Sequence, residues 1–279
     1  MNSTKHKKVC ICIPIYKSKL SENEKKSLIQ CLKILNKYDI YFFTYKSIKK
    51  SEYNIISNSL GKFPEYKYFK KYFFKGIDGY NKIMFDKNFY QTFSDYENIL
   101  IYQLDAWVFR DELEYWCDRG YDYVGAPWFV DYLTGETYDK PFAVGNGGLS
   151  LRKTSFFIKT LDTIIEPFSL KKDIHILLNI LIQRKFLVNY FQRIKRIYFH
   201  FKNYVNNIIL LNINEDAFYC LHLSKYGIEI KLPSCNEASK FAFEHNPSYL
   251  YEQNGKMLPF GCHAWEKIDF NTFWNNFIE

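Results

Sequence analysis

Val9 to Ile15 is an unbroken apolar run with a proline near its end, the pattern of a strand buried on both faces. From Glu22 to Lys37 the spacing turns helical, with Leu28, Ile29, Leu32 and Leu35 forming one apolar stripe. Asp39 to Tyr45 reads as a second strand, so the chain opens as a βαβ unit with a right-handed crossover expected. Phe63 to Phe74 is aromatic and basic and fits neither period. Asp78 to Phe93 has helical spacing with Asp78 as candidate N-cap, and Asn98 to Tyr102 is the best candidate for a central strand. A helix over Arg110–Arg119, a strand and turn in "YDYVGAPWF", and a glycine-rich stretch "VGNGGLSLRK" follow.

The apolar run that ends at Tyr102 passes into Gln103 and Asp105 before returning to Trp107-Val108-Phe109. No core requires an amide and a carboxylate there. In open α/β sheets, however, the carboxyl ends of the strands are where ligands bind.

Of the 279 residues, 47% are apolar and 20% aromatic, which supplies a substantial core and excludes a disordered chain. No linker or internal repeat divides the sequence, so a single domain over 1–279 is expected. The helical-looking stretch from Leu170 to Leu211 reads as an insertion within it, at about 168–212. Between Arg184 and Lys202 that stretch is basic, with interleaved aromatics and no acidic residue after Asp173. The formal charge of +8 suits anionic partners: nucleotide-sugars, lipid-linked phosphates, an anionic bilayer or nucleic acid. Seven scattered cysteines with no C-x-x-C pair argue against a disulfide framework or zinc site and for a reducing compartment. Cys10 and Cys12 share a strand face and read as packing. Lys5–Lys8 before "VCICIPIY" imitates a signal peptide, but no small-residue cleavage site follows and "KSKLSENEKK" is strongly charged. A cytoplasmic protein is expected, peripheral on the inner membrane face if its basic segment lies on lipid.

The segments "DGYNKIMFDKNFY", "ILIYQLDAWVF", "YDYVGAPWF", "VGNGGLSLRK", "NEDAFYC" and "FGCHAW" occur in an order that resembles a little-characterised family of bacterial GT-A-type glycosyltransferases of surface polysaccharide synthesis. The resemblance spans most of residues 8 to 270. It implies a GT-A-like, Rossmann-related mixed central sheet flanked by helices. The activity it implies is transfer of a sugar from a nucleotide-sugar, UDP being the commonest guess, to a glycan or polyprenyl-linked acceptor, as in capsule or lipopolysaccharide synthesis.

Such a reaction leaves a diphosphate whose charge must be stabilised by a divalent cation or by cationic side chains. By resemblance, Gln103-Leu104-Asp105 stands where GT-A enzymes carry an Asp-x-Asp, with the first acid lost and Asp105 retained. The implied metal ligands for manganese or magnesium are Asp105 and His263. One carboxylate makes a poor site without further ligands, so metal dependence is left open. The implied donor-binding residues are Pro14, Tyr16, Lys82, Gln103, Asp105, Asn146, Gly147 and Gly148. Asp216 is the implied general base of an inverting mechanism and Glu215 the second choice. Each residue type also has a plainer use: an N-terminal helix acid, a tight glycine hairpin, a packed histidine. His245 in "FEHNP" is a weaker competitor to His263. The alternatives are a non-catalytic protein that binds nucleotide-sugar or glycan, and a basic protein that binds membrane or nucleic acid. No nucleic-acid-binding motif accompanies the basic stretch.

Overall fold

The computed structural model describes residues 6–131, 135–165 and 213–278; the expected insertion at 168–212, with its basic stretch 184–202, lies outside them. The first apolar run forms β1 (Lys7–Pro14) in the middle of a sheet. It pairs in parallel with β2 (Asp39–Thr44) on one side and β4 (Tyr96–Tyr102) on the other, and β3 (Glu65–Tyr68) extends from β2. Past β4 the direction reverses. β9 (Leu149–Lys153) runs antiparallel to β4, and β6 (Tyr123–Val124) antiparallel to β9, giving the order β3-β2-β1-β4-β9-β6. This is the mixed, helix-flanked GT-A-like sheet implied by the sequence resemblance.

Alternation along the central strands explains why the run reads as continuously apolar. Ile11, Ile13, Phe42, Leu100 and Tyr102 face one layer, which includes Leu28 and Leu32 of α1 (Glu22–Ile34), Tyr53 of α2 (Ser51–Ser59), and Leu113 and Trp116 of α5 (Leu113–Asp118). Cys10, Cys12, Phe43, Ile99 and Ile101 face the other, against Ile83 of α3 (Gly76–Met84), Phe89 of α4 (Lys87–Gln91) and Phe157 of α6 (Thr154–Ile165). Cys10 and Cys12 are buried neighbours in that layer, as their shared strand face predicts.

Ser21 starts α1 with a reciprocal cap, its side chain accepting from Glu24 N while the Glu24 carboxylate accepts from Ser21 N. The helix stops at Ile34, short of Lys37, because Leu35–Tyr38 turn into β2. The helix expected over Asp78–Phe93 is two helices. Asp86 adopts extended backbone and its carboxylate accepts from Asn88 N at 2.9 Å, capping α4; Asp78 lies inside the first turn of α3 and is not its cap. Similarly, α5 begins at Leu113, after Asp111 accepts from Leu113 N.

A second, smaller sheet follows from the end of β4. β5 (Ala106–Val108) leaves the end of β4 after one turn and pairs antiparallel with β11 (Gly261–His263), which pairs in parallel with β10 (Ala242–Phe243). Phe243, Cys262, Trp265, Phe273 and Trp274 anchor it in an apolar cluster of its own. β7 (Pro127–Trp128) and β8 (Ala143–Val144) form a small ribbon, so the glycine stretch after β8 is not a β8–β9 hairpin. The remaining elements are the helical turn α7 (Glu215–Ala217), α8 (Cys235–Phe241) and α9 (Pro247–Gln253). Among the described residues, no helix is long and apolar enough to cross a membrane.

Candidate functional site

The polar step after Tyr102 is the turn between the two sheets. Gln103 N extends the β4–β9 ladder to Gly148 O at 2.8 Å, and Ala106 N closes the turn on Gln103 O at 2.9 Å. Asp105 thus projects at the carboxyl end of β4, one residue before β5. The register of the small sheet then assembles a cluster. Ala106 stands opposite His263, and Phe243 beside Cys262, so Asp105, His263 and Glu244 arrive at adjacent strand ends.

The cluster alternates in charge. Lys267 Nζ lies 2.6 Å from Asp105 Oδ2, Asp105 Oδ1 lies 3.1 Å from His263 Nε2, and His263 Nδ1 lies 2.9 Å from Glu244 Oε1. Burial opposes charge on the imidazole, but the carboxylates on either side outweigh it and hold the His263 pKa up to about 10. Burial likewise works against both carboxylates. His263 and Lys267 nevertheless keep Asp105 well below the usual carboxylate range, and His263 keeps Glu244 low.

The residues expected to ligate a divalent cation therefore meet, with His263 Nε2 engaged by Asp105 Oδ1 as an ion pair. The donor set nonetheless does not fit such an ion. Among the described residues no group of three His, Cys, Asp or Glu side chains is arranged to hold a metal. Glu244 sits on the far nitrogen of the ring, and the second oxygen of Asp105 is taken by Lys267. A hard divalent ion needs a fuller oxygen shell than one carboxylate and one imidazole provide.

The glycine stretch threads between this cluster and the next. Asn146 adopts a positive φ of 73°, and its Oδ1 accepts from Gly148 N and Leu149 N at 2.9 and 3.2 Å, folding the loop on itself. A Cβ on Gly148 would stand 1.9 Å from His263 Nε2, and one on Gly147 would stand 2.5 Å from Glu215 Oε1. Glycine is required at both positions because the His263 and Glu215 side chains pack directly on the backbone.

On the other side of the loop, Glu215 and Asp216 take different roles. Glu215 is buried and engages Arg152 through both oxygens, at 2.8 and 3.0 Å. The guanidinium also donates to Tyr90 Oη and to Ser150 Oγ. Asp216 is partly exposed. Its Oδ2 accepts from Gly147 N at 2.9 Å and its Oδ1 from Ala217 N at 2.8 Å, which leaves a lone pair free on each oxygen. Burial, and then the negative charge of Glu215, push its pKa up to about 7.

Of the other expected donor residues, Pro14 is buried at the end of β1, and Tyr16 just beyond it is 37% exposed, edge-on to Tyr80. Gln103 is partly buried, and Lys82 is exposed on α3. The neighbours of Lys82 reach the site instead. Tyr80 Oη donates to Gly147 O at 3.0 Å, and Asn81 Oδ1 accepts from Glu215 N at 3.1 Å. Glu244, Lys267, Arg152, Tyr80 and Asn81 are the site residues that sequence reasoning did not select. Arg152 alone carried a signal: with Ser150 it puts polar side chains on one face of a strand whose other face carries Leu149 and Leu151.

A mixed sheet whose parallel strands end at a cluster of carboxylates, imidazole, ammonium and close-packed glycine backbone defines a GT-A-like α/β protein with a polar site at its strand ends. The chain belongs to the family described as "Protein of unknown function (DUF5672)", which matches residues 64–263. No curated protein matches it in sequence. Similar solved structures include core-mannan synthase A from Aspergillus fumigatus in its Mn/GDP form, at 8% identity and a TM-score of 0.40, over 55% of this chain and 63% of that one. A cytidylyltransferase from Leptospira borgpetersenii serovar Hardjo-bovis matches at 12% identity and a TM-score of 0.34, over 56% of this chain and 64% of that one. A197 from STIV matches at 17% identity and a TM-score of 0.30, over 55% and 68%. The chain spans less than two thirds of the synthase and of the cytidylyltransferase.

Proposed function

We propose that the protein is a nucleotide-sugar-dependent glycosyltransferase of the inverting kind, with a UDP-sugar as first candidate donor and a glycan or lipid-linked acceptor. The observation that carries this reading is Asp216. It is a partly exposed carboxylate held by two backbone N–H groups, with a pKa of about 7, beside the glycine loop that also borders His263. A general base works best when its pKa lies near the ambient pH.

In the proposed reaction the acceptor hydroxyl oxygen attacks the anomeric carbon of the donor and its proton passes to Asp216. The bond from that carbon to the diphosphate oxygen breaks, and the electron pair leaves with the nucleoside diphosphate. Tyr16 offers an exposed ring for the nucleobase at the end of β1. The loop Asn146–Gly148 brings backbone against the sugar. Glu215, committed to Arg152, holds the turn that carries Asp216.

A thermal-shift panel of nucleotide-sugars, each with and without manganese, tests the donor class. The proposal expects at least one nucleotide-sugar to raise the unfolding temperature and its sugar-free nucleoside not to. A uniform absence of shifts across the panel would overturn it.

A further inference from the structure

We propose that Lys267 is the cation of the donor site: its ammonium bridges Asp105 to the diphosphate of the nucleotide and takes the place a divalent ion would hold. This inference rests on the nucleotide-sugar reading above and assigns the charge partner of the leaving group within that site.

Three observations support it. First, the one acid retained after β4 already has a cation on it: Lys267 Nζ is 2.6 Å from Asp105 Oδ2. A metal ion at that oxygen would have to displace the lysine. Second, the Lys267 side chain is 62% exposed whereas that of Asp105 is 17% exposed, so the ammonium stands on the open side of the carboxylate. A lysine ammonium has three donors; one is directed at Asp105, and the others remain available to phosphate oxygens. Third, the backbone that carries Lys267 is held beside the site. Lys267 N donates to Ala264 O at 2.9 Å, one residue past β11, and Ala264 turns the chain with φ of 52°. The strand that delivers His263 to Asp105 therefore also delivers Lys267. An ammonium placed where negative charge develops stabilises the leaving diphosphate and needs no metal for that purpose.

The test is calorimetric titration of UDP and GDP into the wild-type protein and Lys267→Ala, in EDTA and in manganese. The proposal predicts that wild type binds a nucleoside diphosphate in EDTA, that manganese does not tighten this binding, and that Lys267→Ala weakens it about tenfold to a hundredfold. Because the Lys267 side chain is exposed, the variant is expected to stay folded with at most a small loss of stability, and Lys267→Gln repeats the measurement with the stem retained. Binding that requires or is tightened by manganese would overturn the role of Lys267 and leave the donor reading standing. Equal affinity of both variants and wild type in EDTA would do the same. Failure of wild type to bind either nucleotide in any condition would overturn both.

Discussion

Arg152 and Glu215 form a bidentate ion pair, 2.8 and 3.0 Å between donors and acceptors, with side chains 0% and 2% exposed. Two unlike charges at this depth are tolerated only together: the guanidinium's remaining hydrogen-bond partners are Tyr90, Ser150, Tyr123 and the sulfur of Met84, all neutral. Removing one partner leaves the other buried and uncompensated. Glu215→Ala and Arg152→Met are each expected to lower stability by about 3–5 kcal/mol. The double substitution Arg152→Met/Glu215→Leu should cost less than the sum of the two. Urea unfolding of the three variants checks this; strictly additive losses would show that the pair is not coupled.

Asp216 sets the pH dependence. Its folded pKa of about 7 lies above its ordinary value of 3.8, so the folded state binds the proton more tightly than the unfolded chain does. The stability contributed by this group is complete below about 4 and is lost as pH rises toward 7. Base catalysis runs the other way, since only the carboxylate accepts a proton. Turnover should therefore rise with pH through about 7 and then level. A pH profile of kcat/KM measures this, and a profile flat from 5.5 to about 8.5 would contradict the role.

Gly148→Ala places a methyl where the His263 ring lies, with its Cβ 1.9 Å from Nε2. Either the ring leaves Asp105 or the loop shifts, at an expected cost of about 1–3 kcal/mol. Nucleotide binding should fall with stability, because the loop and the cluster are displaced together. Thermal unfolding alongside calorimetry checks both.

Tyr80→Phe removes one hydroxyl, the donor to Gly147 O at 3.0 Å. The expected loss is about 1 kcal/mol of stability, with a higher KM for donor as the loop loosens. An unchanged KM would place the loop's support elsewhere.

Much of the fold was legible because burial writes itself into sequence. β1 and β4 are continuous apolar runs since both faces of the sheet are covered. The α3–α4 break was not: Phe85 and Asp86 keep the helical spacing, and only the cap formed by Asp86 on Asn88 N reveals it. In the candidate site, Asp105 is legible as a polar residue at a strand end, the glycines as a run, and Asp216 through the resemblance, as one of an acidic pair at a helix start. Glu244 did not, because its importance comes from the β10–β11 register that sets it beside His263, and its neighbour His245 drew attention instead. Lys267 was equally silent, being one of many lysines in a basic chain until the turn at Ala264 aims it at Asp105. On α3 the resemblance implies Lys82, whereas the helix presents Tyr80 and Asn81 to the loop and leaves the lysine exposed.

The most direct test of the central claim is release of nucleoside diphosphate from a panel of nucleotide-sugars, measured for wild type and Asp216→Asn. The account predicts that wild type turns over at least one donor and that Asp216→Asn, with its fold and donor binding intact, is slower by about 10²–10⁴-fold. No turnover of any donor by wild type, or equal rates for the two proteins, would contradict it.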